Sequence, residues 1–122
     1  MKTVMVVDDS RIMRGIVKRT FEKLNTQAEF LEAGDGKTAL QLLTNNKVDL
    51  VLLDWNIPCI SGIDFLRQVR EMDEYHDTPI VMVTSEASKM NIVEAVKAGV
   101  TSYIIKPFSE AVFMEKISNI TF

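Results

Sequence analysis

Residues 50–54 read Leu50-Val51-Leu52-Leu53-Asp54: four apolar positions with no polar alternation, then a carboxylate. A half-exposed strand alternates apolar and polar side chains, so a run apolar at every position suits a strand covered on both faces, as in a parallel sheet with helices front and back. The pattern recurs at Val4-Met5-Val6-Val7 before Asp8-Asp9, and at Ile80-Val81-Met82-Val83 before Thr84-Ser85. Shorter runs at Phe30-Leu31 and from Tyr103 to Ile105 extend the series, with helix-length amphipathic segments between them. Strands and helices in alternation, joined by right-handed crossovers, predict an α/β fold: a three-layer, doubly wound, five-stranded parallel sheet with five helices.

The connections are legible too. Ser10 is placed to cap a first helix with Met13, Val17, Phe21 and Leu24 on one stripe, the spacing of a core-facing face. Gly34-Asp35-Gly36 reads as a loop before a second helix through Ala39, Leu40 and Leu43, ended by Asn45-Asn46. Pro58 and Gly62 bracket a loop after Asp54, and a third helix is expected from Gly62 to Met72. Thr78-Pro79 leads into the fourth strand, Ala98-Gly99 closes a fourth helix with a C-cap glycine, and Ser109 can cap a fifth.

At 122 residues and 47% hydrophobic content, the chain has material for one compact domain, expected to span 1–122 with no output domain. A formal net charge of −3 argues against nucleic acid as a partner, which calls for a clustered basic surface. The single cysteine, Cys59, excludes an intramolecular disulfide. No stretch approaches the ~20 apolar residues of a membrane span, so no membrane insertion and a cytoplasmic location are expected.

In doubly wound sheets, sites lie beyond the carboxyl ends of the strands. Asp8 and Asp9 end the first apolar run, Asp54 the third, Thr84 and Ser85 the fourth, and Lys106 the fifth. Three carboxylates brought to one spot repel by roughly 4 kcal/mol per pair at an effective dielectric near 20, so such a site calls for a cation. Hard oxygen donors suit Mg²⁺, with Mn²⁺ as a substitute, and either ion attracts phosphate. Asp54 is then a candidate nucleophile toward phosphorus, able to hold a phosphoryl group as an acyl phosphate. A cation held by Asp9 and Asp54 would screen the anionic donor, leaving Lys106 and Thr84 to contact other phosphoryl oxygens. Ser85 is small enough to leave room for the group. Pro107 after Lys106 admits a cis peptide bond.

These residues resemble the phosphoacceptor receiver domain of two-component response regulators, and in detail the single-domain, CheY-like chemotaxis regulators. The resemblance covers nearly the whole chain: Val6-Val7-Asp8-Asp9-Ser10 with Met13-Arg14, Glu32-Ala33 with Asp35-Gly36, Asp54-Trp55-Asn56 with Pro58 and Gly62, Thr84-Ser85-Glu86, and Ala98-Gly99 through Tyr103 to Lys106-Pro107-Phe108. It implies the sheet order 2-1-3-4-5. It further implies Asp54 as the phosphorylated aspartate, Asp9 as a direct metal ligand, and Asp8 acting partly through water. Asn56 matches the position giving its backbone carbonyl to the metal, Thr84 the switch hydroxyl, Lys106 the phosphate-binding lysine, and Tyr103 the aromatic whose rotamer follows Thr84. Trp55, Ser85, Glu86 and Pro107 flank the site. Implied partners are a CheA-like histidine kinase as phosphodonor, a flagellar motor switch protein or other target on the face formed by the fourth helix, fifth strand and fifth helix, and a phosphatase. The loop departs from the family pattern, with isoleucines at Ile57 and Ile60 and a serine at Ser61, but loses no expected ligand.

Blander readings stand beside these. Trp55 reads as a cover for the loop, His76 as a solvated loop residue with no metal-ligand spacing, and Cys59 as an incidental thiol. A flavodoxin-type carrier would need a glycine- and hydroxyl-rich phosphate loop where Asp8-Asp9-Ser10 would repel a phosphate. An aspartate-dependent phosphatase would want two acidic residues separated by one position on the first, nucleophile-bearing strand, and a larger, cap-bearing chain. A stand-alone phosphorelay carrier or phosphate sink shares the chemistry at Asp54 and remains the alternative to a chemotaxis regulator. The protein is expected to be a signalling switch that acts catalytically only on its own phosphorylation and dephosphorylation. Kinase contacts are expected on the first helix, at Arg11, Ile12 and Gly15.

Overall fold

The computed structural model describes residues 1–24 and 27–122. Strands β1 (Lys2–Val7), β2 (Ala28–Ala33), β3 (Leu50–Leu53), β4 (Ile80–Thr84) and β5 (Ser102–Ile105) alternate with helices α1 (Arg11–Glu22), α2 (Gly36–Asn45), α3 (Gly62–Arg70), α4 (Lys89–Ala98) and α5 (Glu110–Ser118). The strands form one sheet in the order β2-β1-β3-β4-β5, and every neighbouring pair is parallel. The chain therefore leaves β1 toward β2 on one side and returns to β3 on the other, which places the switch point between β1 and β3, beside Asp8 and Asp54.

Because successive side chains of a strand point to opposite faces, the apolar runs split into two cores. Met5, Val7, Val51, Leu53 and Met82 pack against Ala39, Leu43, Phe65, Leu66, Val69 and Ala95 from α2, α3 and α4. Val4, Val6, Leu50, Leu52, Val81, Val83 and Ile104 pack against Val17, Phe21, Phe113 and Ile117 from α1 and α5. All four residues of β3 are buried, which is why its sequence shows no alternation. On the α1 stripe Val17 and Phe21 are buried and Met13 is half-buried; Leu24 lies past the end of the helix, which stops at Glu22, yet packs against the same core. No helix among the described residues is long and apolar enough to cross a membrane.

Each helix starts the same way. Ser10, Asp35, Ser61, Ser88 and Ser109 sit in extended backbone and their side chains accept the N–H of the third residue onward. This satisfies one of the amides that a helix start leaves unpaired. Ser61, a departure in the loop sequence, thus serves as the cap of α3. Gly99 closes α4 at φ 98°, ψ 27°, a left-handed conformation open to glycine at low cost.

The structure corrects three boundaries. Gly36 is the first residue of α2 rather than part of the loop, because Asp35 caps the helix directly. α3 stops at Arg70, short of Met72, and a 3-10 turn over Asp73–Tyr75 follows. β2 extends two residues beyond Phe30-Leu31 at each end, since Glu29 and Glu32 interrupt the apolar pattern while the backbone still pairs with β1. In the polar stretch 73–77, Tyr75 is fully buried, with its hydroxyl between the carbonyls of Leu43 at 2.8 Å and Asn46 at 2.6 Å. His76 beside it is exposed, with Nδ1 3.1 Å from Asp77.

Candidate functional site

The ends of β1, β3, β4 and β5 converge. Asp8 and Asp54 are the buried acidic residues of the molecule among those described, at 4% and 7% exposure, while Asp9 is open to solvent. A ligand oxygen from each of Asp8, Asp9 and Asp54 lies within 4.8 Å of the others. Parallel pairing produces this closeness: Val7 pairs with Leu53 across β1 and β3, so the residues that follow both strands emerge side by side. The Asp54 N–H donates to the Val7 carbonyl at 2.9 Å, extending the ladder to the nucleophile position itself.

Lys106 enters from the end of β5. Its Nζ donates to Asp8 Oδ2 at 2.6 Å and to Asp54 Oδ2 at 3.1 Å. Burial disfavours the ammonium, but the hydrogen bonds to Asp8 and Asp54 outweigh it and hold the Lys106 pKa above the usual lysine range. The lysine is therefore charged at neutral pH. For Asp8, burial dominates, and its pKa rises despite the Lys106 contact and the Ser10 N–H that donates to Oδ1 at 2.9 Å. The Lys106–Pro107 peptide bond is cis.

Asp54 Oδ1 accepts the Asn56 N–H at 3.3 Å, so the loop after β3 turns back over the carboxylate. Thr84 ends β4 with no exposed surface, and its Oγ1 accepts the Glu86 N–H at 3.3 Å. Tyr103, on β5, points inward at 9% exposure and its hydroxyl donates to the Glu86 carbonyl. Burial, then the charges of Glu86 and Asp54, push the Tyr103 pKa up to about 12. Trp55 is half-buried, and Ser85 and Pro107 are exposed at the rim. Cys59 is exposed on the loop at φ 70°, an unusual backbone for a residue with a side chain.

The structure thus brings Asp8, Asp9, Asp54 and Lys106 within reach of one another, with Thr84 at the end of β4 and Ser85 just beyond it. It also adds residues to which the sequence assigns no task. Glu86 is clamped by two amides, Asn56 Nδ2 at 3.0 Å and Asn91 Nδ2 at 3.2 Å, which ties the loop after β3 to the first turn of α4. Arg14 donates from Nη1 to the Asp8 carbonyl at 2.7 Å and from Nε to Glu32 at 2.9 Å. Gly62 packs so tightly that an added Cβ would lie 2.2 Å from the Asp54 carbonyl oxygen. Asn56 and Glu86 are 30 residues apart and Arg14 and Glu32 are 18 apart, so no local spacing announces those two pairs.

The donor set matches a hard divalent cation: carboxylate oxygens, no thiol or imidazole, one face open through Asp9. Comparison with known proteins agrees with the fold. The chain is 42% identical over 118 residues to a chemotaxis protein CheY homolog of Campylobacter jejuni, covering 96% of this chain and 90% of that protein. It is 43% identical over 120 residues to chemotaxis protein CheY-3 of Vibrio cholerae, covering 96% and 89%. The high-resolution structure of the chemotaxis response regulator CheY4 of Vibrio cholerae superposes with a TM-score of 0.89 at 30% identity, over 99% of both chains. Residues 4–118 match the model of the response regulator receiver domain, and the chain is a member of that family, of the chemotaxis CheY type.

Proposed function

We propose that the protein is a phosphorylation switch in which Asp54 accepts a phosphoryl group from the phosphohistidine of a chemotaxis-type histidine kinase. The observation that carries this reading is the convergence of the Asp8, Asp9 and Asp54 carboxylates with Lys106 at the switch point of the sheet. In the transfer, an Asp54 oxygen forms a bond to phosphorus as the phosphorus–nitrogen bond to the kinase histidine breaks. Hydrolysis later breaks the Asp54 oxygen–phosphorus bond by attack of water and releases inorganic phosphate.

Asp8, Asp9 and Asp54, with the backbone carbonyl of Asn56, would hold Mg²⁺ or Mn²⁺. When bound, the ion supplies charge neutralisation between an anionic nucleophile and an anionic donor. Lys106, charged and already within hydrogen-bonding distance of the acceptor carboxylate, follows the incoming phosphoryl oxygens as a mobile cation. The Thr84 hydroxyl offers a neutral donor at the end of the neighbouring strand.

The switch proper is the Thr84, Glu86 and Tyr103 group. Thr84 and Tyr103 both bond to the backbone of Glu86, so a pull on the Thr84 hydroxyl is felt by the segment that holds the tyrosine inward. A differential interaction of a few kcal/mol suffices to shift such a two-state equilibrium. The output surface is α4, β5 and α5, where Met90, Val96, Ile105 and Val112 are exposed. Relatives named as chemotaxis proteins support a flagellar motor switch protein as the target.

The test is Trp55 fluorescence during Mg²⁺ addition, then beryllofluoride as a phosphoryl mimic, with Asp54→Ala as control. A metal response, a second response to the mimic, and loss of the second in the variant are the expected result. A protein that binds neither, by fluorescence and by calorimetry, is not a phosphoacceptor.

A further inference from the structure

The four polar groups of Asp8 are anchored by four different segments. Its N–H donates to the Ala33 carbonyl of β2 at 3.0 Å, and Oδ1 accepts the Ser10 N–H at 2.9 Å. Oδ2 accepts Lys106 at 2.6 Å, and the main-chain carbonyl accepts Arg14 Nη1 at 2.7 Å. The last of these differs in kind, because the Asp8 carbonyl lies in the rigid peptide plane that leads into Asp9. Whatever fixes that oxygen fixes the direction in which Asp9 leaves the strand. The guanidinium is itself held: Nε donates to Glu32 Oε1 at 2.9 Å, Lys18 grips the other oxygen of Glu32 at 3.0 Å, and the Arg14 side chain is only 16% exposed. A planar fork bound along two edges has little freedom left.

We propose that Arg14 is a positioning residue of the acidic site: by clamping the Asp8–Asp9 peptide it aims the Asp9 carboxylate at Asp8 and Asp54, and Glu32 on β2 in turn aims Arg14. This inference rests on the reading of Asp8, Asp9 and Asp54 as a divalent-cation site. It makes the edge strand β2, which contributes no ligand, part of the metal-binding apparatus. Partners standing behind metal ligands are worth about 10–100-fold in metal affinity.

The sign of the effect separates positioning from charge. Arg14 is a cation near a site for another cation, so as a mere charge it opposes Mg²⁺, and removing it would tighten binding. As a clamp it supports Mg²⁺, and removing it weakens binding. The experiment is Mg²⁺ titration of the whole protein, followed by calorimetry and by Trp55 fluorescence, for the unsubstituted chain, Arg14→Gln, Arg14→Lys and Lys18→Gln. Folding of each is checked by circular dichroism. The expected result is a Kd raised about tenfold in Arg14→Gln and raised also in Arg14→Lys, which keeps the charge but not the planar fork. Lys18→Gln, which removes a like charge and loosens only the far oxygen of Glu32 without touching Asp8, raises the Kd less than either Arg14 variant does. Should Arg14→Gln fail to fold, the charge-conserving Arg14→Lys decides the matter. Unchanged or tighter binding in the folded Arg14 variants overturns the proposal. Absence of Mg²⁺ binding by the unsubstituted protein overturns the cation-site reading instead.

Discussion

Burying Asp8 beside Asp54 costs stability that Lys106 returns only in part, since burial raises the Asp8 pKa in spite of the lysine. A carboxyl with a raised folded pKa binds more protons in the native state than in the unfolded state. Stability therefore falls as pH rises from the ordinary value near 3.8 through the folded pKa, and the deficit persists at neutral pH. Asp8→Asn is expected to stabilise the metal-free protein at pH 7 by on the order of 1 kcal/mol, the scale of one partly screened carboxylate contact, and to flatten that slope. Urea unfolding in EDTA across pH 4 to 7 measures it; a less stable variant would show that the Lys106 contact outweighs burial and repulsion. Tyr103 gives the same sign at the other end of the scale. Its pKa is raised from 10.0 to about 12, so its contribution is fully present below pH 10 and is lost as pH rises through 12. Tyr103→Phe should lose less stability than the unsubstituted protein across that interval. Parallel loss in both proteins would mean that the phenol does not stay neutral in the folded state.

Gly62 shows how an element boundary becomes a site constraint. Its N–H donates to the Trp55 carbonyl at 2.8 Å, and a Cβ there would stand 2.2 Å from the Asp54 carbonyl oxygen and 2.6 Å from Trp55 Cα. Backbone atoms cannot rotate away, so α3 would have to back off from the end of β3. Gly62→Ala is expected to cost about 3 kcal/mol in urea unfolding, the upper end for overpacking, and to weaken the Mg²⁺ response because the displaced atoms belong to Asp54. A loss below about 0.5 kcal/mol, the range of ordinary surface substitutions, would show that the helix start yields easily. Elements with unbroken apolar runs, β3 above all, are legible in the sequence because burial on both faces leaves no other pattern. Boundaries are less so: Asp35 reads equally as turn and as cap, and the polar neighbours of Tyr75 conceal a fully buried ring. The pull of that ring toward the carbonyls of Leu43 and Asn46 is tertiary, and no local spacing encodes it.

At the scale of the molecule, the site belongs to no single element, and its legibility follows from topology. Asp8, Asp9, Asp54, Thr84 and Lys106 can be read from the sequence because a parallel sheet delivers all strand ends to one edge. Arg14, Glu32 and Asn91 cannot, because their partners are set by how α1, β2 and α4 lie against that edge. A ligand that binds only the folded chain raises its stability by about 2.7 kcal/mol at a hundredfold excess over its Kd. Mg²⁺ should therefore raise the thermal midpoint of the unsubstituted protein, EDTA should reverse it, and Asp8→Asn should respond less. A midpoint indifferent to Mg²⁺ at millimolar concentration would count against the site. The sheet order has one more consequence, for solubility. It ends in β2 on one side and β5 on the other, each with a free row of backbone donors and acceptors that another chain could pair with. β5 offers only the four residues Ser102–Ile105, and β2 carries the exposed Glu29 on one face and, on the other, Glu32 held by Arg14 and Lys18 of α1. A short edge and an edge interrupted by charged side chains are both poor templates for strand addition, so the sheet order leaves the molecule little to pair with through its backbone.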